Sequence, residues 1–492
     1  MGRSPIRSVA VIGAGAAGAA AATALASENV FEVIRVFERR EVPGGTWIYD
    51  ADPGTIELHP GKLPPEVDTP LKIPKTVPRT TPPSSQYRYD RTPIYAELTT
   101  NVPAIAMSFS DEPFPYGPFV PHWIPKQYIE SYFSLRRTDS FLVLNTTVED
   151  VTSIPAKGDP HDRWRLTLRR HDSIRDVDVW WAEEFDAVII ANGHYSVPII
   201  PAVKGLNNYI NKFPGIVSHS KSYRTVGQFA NKRVIVIGNS ASGHDITTQL
   251  VESGKPKLPV YQSRRSKSRW DGAGPPPGIE WKPVIEEYNA ETGEILFADN
   301  TRLTNIDAVI YCTGYGPSFP FWNVEANGGP LYDYAKGHLR ENYQHTFSRV
   351  FPHNLGIMGF PRVLTFRSFE YQAIALARLF AGRHSKPLPP LSEQEDWEKR
   401  RAELVQRERR KFHDIEWDEG ETMDWFRFLF ELSGLPVLED LGRCPPVLGD
   451  ATRWAIDHVR KYPEPGREDG EGDLEEEGWV ILEQRKDSLH FI

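Results

Sequence analysis

The pattern of apolar and polar positions predicts buried strands that alternate with helices in the N-terminal part of the chain. Residues 9–12 are apolar throughout, an Ala-rich stretch covers 16–27, and a second, mostly apolar run covers 33–37. Apolar runs of this length are typical of parallel strands that are covered on both faces. The order strand, helix, strand therefore predicts a βαβ unit.

The same order returns in the middle of the chain. An apolar run at 233–237 is followed by a helical stretch, and a further strand ends near residue 263. Two more buried strands, 185–191 and 306–311, enclose this second unit, and a glycine follows each of them within three residues. These two similar strand ends predict an α/β fold in which one such domain is inserted into the other.

Both units carry a glycine-rich turn between their first strand and their helix. The turn residues are Gly13, Gly15, Ala16, Ala17 and Gly18 in the first unit, and Gly238, Asn239, Ser240, Ala241, Ser242 and Gly243 in the second. Glycines at such a turn let the backbone approach a pyrophosphate, which lies at the positive end of the helix. Two dinucleotide-binding, Rossmann-like domains are therefore expected.

The residues that follow the two turns differ in charge. Glu38 stands 20 residues after Gly18, whereas Ser263 and Arg264 stand 20 and 21 residues after Gly243. A carboxylate at this distance accepts hydrogen bonds from a ribose 2′-hydroxyl, and an arginine neutralises a 2′-phosphate. FAD at the first turn and NADPH at the second is the economical interpretation, with Arg264 and its neighbour Arg265 as the phosphate ligands.

The repeated pattern predicts four segments. They are the first part of the FAD-binding domain (1–198), the NADPH-binding domain (199–312), the second part of the FAD-binding domain (313–460) and an acidic C-terminal tail (461–492).

Three stretches depart from the βαβ pattern. Nine prolines fall within residues 51–90, which we interpret as a surface excursion; a tolerated insertion is favoured over a lid or an interface arm. Ser392 and Glu395 have the spacing of a capping box and predict a charged helix that runs to about His413. Residues 464–477 contain eight acids and one arginine, which predicts a mobile segment.

Composition excludes several classes of function. The chain has 492 residues and a net charge of −9, which argues against nucleic-acid binding. Its two cysteines, Cys312 and Cys444, form no CxxC pair, which argues against a dithiol reductase and a disulfide framework. We expect no metal site. A secretion signal is not expected because the N-terminal residues lead at once into the first strand, and a membrane span is not expected because no apolar stretch reaches about 18 residues. A cytoplasmic protein is expected.

Seven motifs together resemble the flavin-containing monooxygenases, a family of class B flavoprotein monooxygenases, and most closely their soluble fungal and yeast-type members. The motifs are the two glycine-rich turns, Glu38-Arg39-Arg40 before Gly44-Gly45-Thr46-Trp47, Tyr95-x-x-Leu98-x-Thr100-Asn101-x-Pro103, Asn192-Gly193-His194-Tyr195, Phe213-x-Gly215-x-x-x-His219-x-x-x-Tyr223-Arg224 and Tyr311-Cys312-Thr313-Gly314-Tyr315. The motif from Phe213 to Arg224 is the most specific, and we call it the fingerprint. Related Baeyer–Villiger monooxygenases carry Trp where Tyr223 stands.

The resemblance also implies which residues bind the cofactors. For FAD these are the first turn together with Glu38, Arg39, Gly45, Thr46, Trp47, Thr100, Asn101 and Val148; for NADP they are the second turn together with Ser263, Arg264, Cys312, Thr313 and Gly314. Asn101 would lie beside the isoalloxazine as the catalytic residue. For His219 and Tyr223 a linker role between domains is favoured over direct chemistry, and the Cys312 thiol is expected to be a small core group.

The reaction implied by the resemblance is an NADPH- and O₂-dependent oxygenation of a soft nitrogen or sulfur atom through a flavin C4a-hydroperoxide. The cofactor supplies the difficult chemistry, so no nucleophile or metal is required. The partners would be O₂ and a small amine, thiol or sulfide, and the chain could equally be a monomer or a homo-oligomer. Oxygen insertion into a ketone, an NADPH oxidase or flavin reductase, and a non-enzymatic dinucleotide-binding module are the alternatives.

Overall fold

Two sheets of mainly parallel strands organise the structure, a computed structural model that describes residues 5–155, 162–418, 420–434, 442–462 and 464–465. The predicted mobile segment 464–477 lies outside these residues except for its first two positions.

The strands of the described residues are β1 (Ser8–Ile12), β2 (Val33–Phe37), β3 (Arg79–Thr81), β4 (Leu142–Val143), β5 (Thr147–Ile154), β6 (Arg163–Asp172), β7 (Val177–Phe185), β8 (Ala187–Ile190), β9 (Val197–Pro198), β10 (Val217–His219), β11 (Arg233–Ile237), β12 (Lys257–Ser263), β13 (Ile279–Lys282), β14 (Ile285–Tyr288), β15 (Ile295–Phe297), β16 (Arg302–Leu303), β17 (Ala308–Tyr311), β18 (Tyr315–Gly316), β19 (Tyr332–Asp333), β20 (His338–Leu339), β21 (Asn342–Tyr343), β22 (Phe347–Ser348) and β23 (Leu355–Ile357). The α-helices are α1 (Ala16–Glu28), α2 (Pro64–Val67), α3 (Ala104–Met107), α4 (Trp123–Leu135), α5 (Leu206–Lys212), α6 (Ala241–Glu252), α7 (Thr365–Ala381), α8 (Leu391–Glu408), α9 (Glu421–Ser433) and α10 (Asp450–His458).

The first sheet has the order β21-β22-β23-β8-β1-β2-β4, and its strands from β23 to β4 are parallel. Both of its faces are covered, which explains why β1 is apolar throughout. Val9 and Val11 join the core cluster that contains α1 and α7, whereas Ala10 and Ile12 join a second cluster under β5, β6 and β7. Alternate residues of β1 therefore pack against the helical layer on one face of the sheet and against the β5–β7 layer on the other.

Helix α1 is the Ala-rich stretch that the sequence predicts, and it is buried nearly all round. A helix that is apolar on every side is typical of a protein interior. The small alanine side chains let the helix lie close to β1 on one side and to α7 on the other.

The second sheet has the order β10-β17-β11-β12-β13 and is parallel throughout. The chain enters it after β8 and returns to the first sheet at β21, so the second unit is inserted into the first, as the two strand ends predict. The short strands β9 and β18 pair where the chain leaves and returns. The predicted boundaries at 198 and 312 fall beside this pair and stay a prediction.

The Pro-rich excursion lies mostly on the surface, but it also contributes a strand to the fold. Its strand β3 extends the antiparallel sheet β3-β7-β6-β5, and Trp180 Nε1 donates to the Thr81 hydroxyl at 2.9 Å. At its other end Gly61 N donates to Ile200 O at 2.8 Å. The excursion therefore contacts the rest of the molecule along its length.

The predicted capping box is wrong. Helix α8 already begins at Leu391, its N-cap is Pro390, and no side chain caps it. Proline fits this position because its missing N–H is not needed there. The helix also ends earlier than predicted, at Glu408, because Arg409 turns into the left-handed region with a φ of 56°.

The C-terminal end of α1 is tied to α7 by a buried ion pair. Arg378 Nε donates to one oxygen of Glu28 at 3.1 Å, and Arg383 Nε donates to the other at 2.7 Å. The side chains of Glu28 and Arg378 are 1% and 2% exposed. This carboxylate therefore neutralises a guanidinium that has almost no access to water.

Replacement of Glu28 by Ala should lower the free energy of unfolding by about 3 kcal/mol or more, because it leaves the Arg378 charge buried without its partner. Urea denaturation measures the change. The matched control is Glu32→Ala, which removes an exposed carboxylate paired with Arg7 at 2.9 Å. That variant should lose less than about 1 kcal/mol. Equal losses in the two variants would contradict the assigned role of burial.

Candidate functional site

The first glycine-rich turn has no room for a Cβ atom at Gly13 or at Gly18. A Cβ at Gly13, where φ is +106°, would lie 2.6 Å from the Ala191 carbonyl oxygen, and one at Gly18 would lie 1.9 Å from Gly13 O. The turn opens α1 at Gly15, and no side chain caps the helix. Its first N–H groups can therefore bind a pyrophosphate.

Glu38 lies at the end of β2 and faces this turn. Its carboxylate is buried, with one oxygen accepting from Ala14 N at 2.9 Å and the other from Arg40 N at 3.0 Å. Each oxygen keeps a further acceptor position, which suits the two hydroxyls of a ribose. Thr146 N donates to Glu38 O at 2.8 Å and brings the start of β5, with Val148, to the same place.

The stretch Gly45–Trp47 forms a 3₁₀ turn against the first glycine-rich turn. A Cβ at Gly45 would lie 2.8 Å from Gly15 Cα, so the two backbones are in contact. Trp47 packs partly buried against the core cluster that contains Ala14 and Ala16. The predicted residues Gly45, Thr46 and Trp47 are thus placed beside the first turn.

Arg39 points away from that group. Its side chain is exposed, and its guanidinium donates to Arg88 O at 3.2 Å and Tyr89 O at 3.5 Å. The structure therefore connects Arg39 to the Pro-rich excursion.

The second turn repeats the geometry of the first. A Cβ at Gly238, where φ is +111°, would lie 2.7 Å from Cys312 O, and one at Gly243 would lie 2.3 Å from Gly238 O. No side chain caps α6, whose open N-terminal end is formed by Ser240, Ala241 and Ser242. Burial raises the pKa of the Cys312 thiol to about 12, so the residue packs behind the turn as a neutral thiol.

Arg264 lies at the end of β12 but is already bound by the protein. Its guanidinium donates to both oxygens of Asp271, at 2.8 and 2.6 Å, and its centre lies 3.8 Å from the ring centroid of Trp281. The Ser263 hydroxyl donates to Pro283 O at 2.8 Å. Arg265 is exposed.

An open cavity of about 310 Å³ lies at this place and is lined by Arg264, Arg265, Ser266, Trp281, Lys282 and Pro283. Asn239, which departs from the usual small residue of the turn, donates from Nδ2 to Ser266 O at 2.6 Å. It thereby ties the second turn to the wall of the cavity. Of the three cationic side chains that line the cavity, Arg264 is paired with Asp271 and Lys282 with Glu280 at 2.8 Å, so an anion such as a 2′-phosphate would compete with these carboxylates.

Asn101 lies in a loop that is fastened along one side. Thr100 N donates to Val120 O at 2.8 Å, and Val120 N donates to the Thr100 hydroxyl at 3.0 Å. The Asn101 side chain is exposed. Val102, after it, packs against the core of the first turn, and Leu98, before it, packs against the core of the second. This loop therefore links the two cofactor turns.

His219 of the fingerprint joins the two linkers between the domains. Lys221 N donates to its Nδ1 at 3.1 Å, so the proton is on Nε2, which donates to Gly314 O at 3.1 Å. Burial lowers the pKa of His219 to about 3, so the ring is neutral. In the returning linker the Thr313 hydroxyl donates to Ile199 O. This geometry suits the linker role.

The remaining fingerprint residues are structural in their contacts. Phe213 packs against the core of the inserted unit, and Gly215 adopts a φ of +84°. The buried Tyr223 donates from its hydroxyl to Gln249 Oε1 at 3.1 Å, and its ring meets that of Tyr95 edge to face at 5.2 Å.

Two buried cations of the fingerprint stretch were not among the predicted site residues. Lys221 has no exposed surface, and its Nζ donates to Tyr89 O at 3.2 Å and Ser196 O at 2.5 Å. Burial, and then the nearby Arg39, lower its pKa to about 7. The available signal was a lysine among the mostly small residues that follow His219.

Arg224 has a similar environment. Its guanidinium donates to the carbonyl oxygens of Asp50, Thr92, Lys221 and Tyr223 at 2.5 to 3.1 Å. Because Asp50 and Thr92 stand at the two ends of the Pro-rich excursion, Arg224 fixes both ends of the excursion to the fingerprint.

Comparison with known proteins identifies the family. A family model described as flavin-binding monooxygenase-like matches residues 84–268, and one described as an NAD(P)-binding Rossmann-like domain matches residues 11–67. The flavin-containing monooxygenase FMO GS-OX-like 2 of Arabidopsis thaliana is 30% identical over 393 residues, which cover 77% of this chain and 75% of that protein. The chain belongs to the flavin-containing monooxygenases.

Further relatives of this monooxygenase agree with the assignment. The flavin-containing monooxygenase iboF of Amanita muscaria is 29% identical over 447 residues, covering 79% of this chain and 81% of that protein. The predicted closeness to fungal members is thus supported only in part, since plant proteins match as well. The fold is that of the S-allyl-L-cysteine S-oxygenase from Allium sativum, with a TM-score of 0.73, 24% identity and 99% coverage of both chains.

Membership implies FAD and NADPH as cofactors and a small molecule with O₂ as substrates. The two turns fit these cofactors. In each turn glycines keep the backbone free of Cβ atoms, and each turn leads into a helix whose first N–H groups no side chain caps. Within the described ranges, no helix of this monooxygenase is long and apolar enough to cross a membrane.

The depressed pKa of Lys221 makes stability depend on pH. An unfolded lysine titrates near 10.4, whereas the folded one titrates at about 7, so between these values only the unfolded chain holds the proton. Lys221 should therefore make the free energy of unfolding rise with pH from 7 to 10, by up to about 1.4 kcal/mol per pH unit.

Urea denaturation of Lys221→Met at several pH values measures this slope. The variant should lose the rise, and the matched control Lys204→Met, an exposed lysine paired with Glu287 at 2.9 Å, should keep it. An unchanged slope in Lys221→Met would show that the lysine stays protonated in the folded protein.

Arg264→Ala should weaken NADP⁺ binding about tenfold or more and leave NAD⁺ binding almost unchanged, because only NADP⁺ carries the phosphate that a guanidinium recognises. Asp271→Asn frees the guanidinium of its competing carboxylate and should strengthen NADP⁺ binding. Equilibrium titration of the wild type and of both variants with each nucleotide measures the dissociation constants. A preference for NADP⁺ that survives in Arg264→Ala would remove this residue from the phosphate site.

Proposed function

We propose that this monooxygenase oxygenates a soft nitrogen or sulfur atom of a small molecule with NADPH and O₂. NADPH supplies two electrons, one oxygen atom is bonded to the substrate, and the other leaves as water. The bound flavin supplies the activation of O₂. The protein binds the substrates, orients them and excludes water from the site.

The observation that carries the proposal is the position of the Asn101 loop. The loop packs against the cores of both cofactor turns, and its exposed amide projects from a fastened backbone. An amide donates and accepts hydrogen bonds but has no proton that titrates near neutral pH. Asn101 can therefore hold a reduced oxygen in place without protonating it.

Tyr223 favours this reaction over oxygen insertion into a ketone, because the ketone-oxygenating relatives carry Trp at its place. Its hydroxyl and ring are fully engaged by Gln249 and Tyr95. Tyr223 therefore packs within the core of the inserted domain and supports the assignment as a family signature.

The first experiment is rapid mixing of the NADPH-reduced holoenzyme with O₂, followed by the absorption of oxidised flavin. The proposal is supported if the absorption of oxidised flavin returns after a delay, and if added amines or thioethers shorten this delay and are converted to their oxides. An immediate return with one H₂O₂ per NADPH would identify an oxidase or reductase. A ketone that is converted to an ester would support the alternative on the same fold.

Asn101→Ala should keep NADPH oxidation but reduce the product formed per NADPH by about tenfold or more, as expected when one catalytic hydrogen bond is lost. H₂O₂ should replace the missing product, and both are measured in the same reaction. The matched control is Asn208→Ala, an exposed asparagine of α5, which should leave the ratio unchanged. Intact coupling in Asn101→Ala would exclude this amide from the mechanism.

A further inference from the structure

The chain that follows α10 crosses from one cofactor unit to the other. We call residues 459–462 and 464–465 the C-terminal strap. Lys461 Nζ donates to Thr99 O at 3.5 Å, two residues before Asn101, and to Asp245 Oδ1 at 3.2 Å. The strap thus contacts the Asn101 loop and the inserted NADPH unit at once.

Asp245 is the residue on which these contacts converge. It stands two residues after Gly243 in α6 and is 6% exposed. Its carboxylate accepts from the hydroxyls of Tyr95 and Tyr462, from Lys461, and from Gln249 Nε2 at 3.4 Å. A buried carboxylate with this many donors from separate segments holds those segments in one arrangement.

The ring of Tyr462 adds a second contact with the NADPH unit. Its centroid lies 4.6 Å from that of His244 and 5.9 Å from that of Trp270. Trp270 directly precedes Asp271, the residue that binds Arg264. Tyr462 therefore reaches both the second glycine-rich turn and the loop beside the proposed 2′-phosphate site.

The strap is anchored on both sides of these contacts. Arg269 Nε and Glu464 Oε1 lie 3.4 Å apart, which joins the strap to the same loop. Helix α10, before the strap, packs against α3, which begins three residues after Asn101. Separation of the NADPH unit from the Asn101 loop would therefore break the Tyr462 and Lys461 contacts.

We infer that the C-terminal strap belongs to the NADP(H) site and that Tyr462 is a positioning residue, which acts through Asp245 and Trp270. It holds the NADPH unit against the Asn101 loop and thereby slows the release of NADP⁺. The inference rests on the proposed function, in which the enzyme uses NADPH and Asn101 lies at the reacting centre.

The test uses Tyr462→Phe in the FAD-loaded full chain. This change keeps the ring contacts and removes only the hydroxyl that donates to Asp245. The dissociation rate constant of NADP⁺, measured by displacement in a stopped-flow instrument, should rise about tenfold, the effect of one lost hydrogen bond to a charged group. Flavin content should be unchanged.

The matched control is Tyr371→Phe, which removes a buried tyrosine hydroxyl that donates to Pro446 O within the flavin unit. It should release NADP⁺ at the wild-type rate even if its Tm falls. Lys461→Met is a second variant of the strap, and it should also accelerate release because it loses the contacts with Thr99 and Asp245.

The outcomes separate the two proposals. If the wild type retains NADP⁺ and both Tyr462→Phe and Lys461→Met release it at the wild-type rate, the role of the strap is overturned and the proposed function is not. Faster release from Tyr371→Phe as well would show a general effect of hydroxyl loss and would also overturn it. A wild-type chain that does not bind NADP⁺ would overturn the proposed function together with the strap.

Discussion

The close approach of a helix to the end of a strand, repeated in both units, is the constraint on which the structure depends. Gly18 and Gly243 each lie where a Cβ would collide with a carbonyl oxygen of their own turn. This contact allows α1 and α6 to point their free N–H groups at the edge of a sheet. The Asn101 loop packs against the cores of both turns, so the two cofactor positions lie at one junction, to which the fingerprint and the excursion also contribute.

The junction is held mainly by polar groups that have been removed from water. Lys221 and Arg224 donate to carbonyl oxygens of segments far apart in the chain, and neutral His219 joins the outgoing and returning linkers. Such groups are costly to bury, and they are tolerated only when their hydrogen bonds are made. Their directionality restricts how the two units can sit, which apolar contacts alone would not do.

The sequence predicts the parts of this fold whose signal is local. Both βαβ units, both turns and Glu38 follow from apolar runs and from residue spacing, because neighbouring residues determine them. The Arg264–Asp271 pair was missed because Asp271 lies in a loop without periodic pattern. Strand β3 was missed within a Pro-rich stretch, since its partner β7 is about a hundred residues away. The capping box predicted at Ser392 and Glu395 is wrong because the helix already begins after Pro390.

The insertion of one unit into the other has a consequence for biosynthesis. Residue 188 of β8 pairs with residue 355 of β23, so the first sheet is completed only after the whole inserted unit has been synthesised. Contacts between such distant residues form slowly, whereas the second sheet is continuous in sequence and can fold first. A nascent chain that ends before α7 exposes the apolar side of α1. The core around the first glycine-rich turn is therefore completed only when α7 has been synthesised.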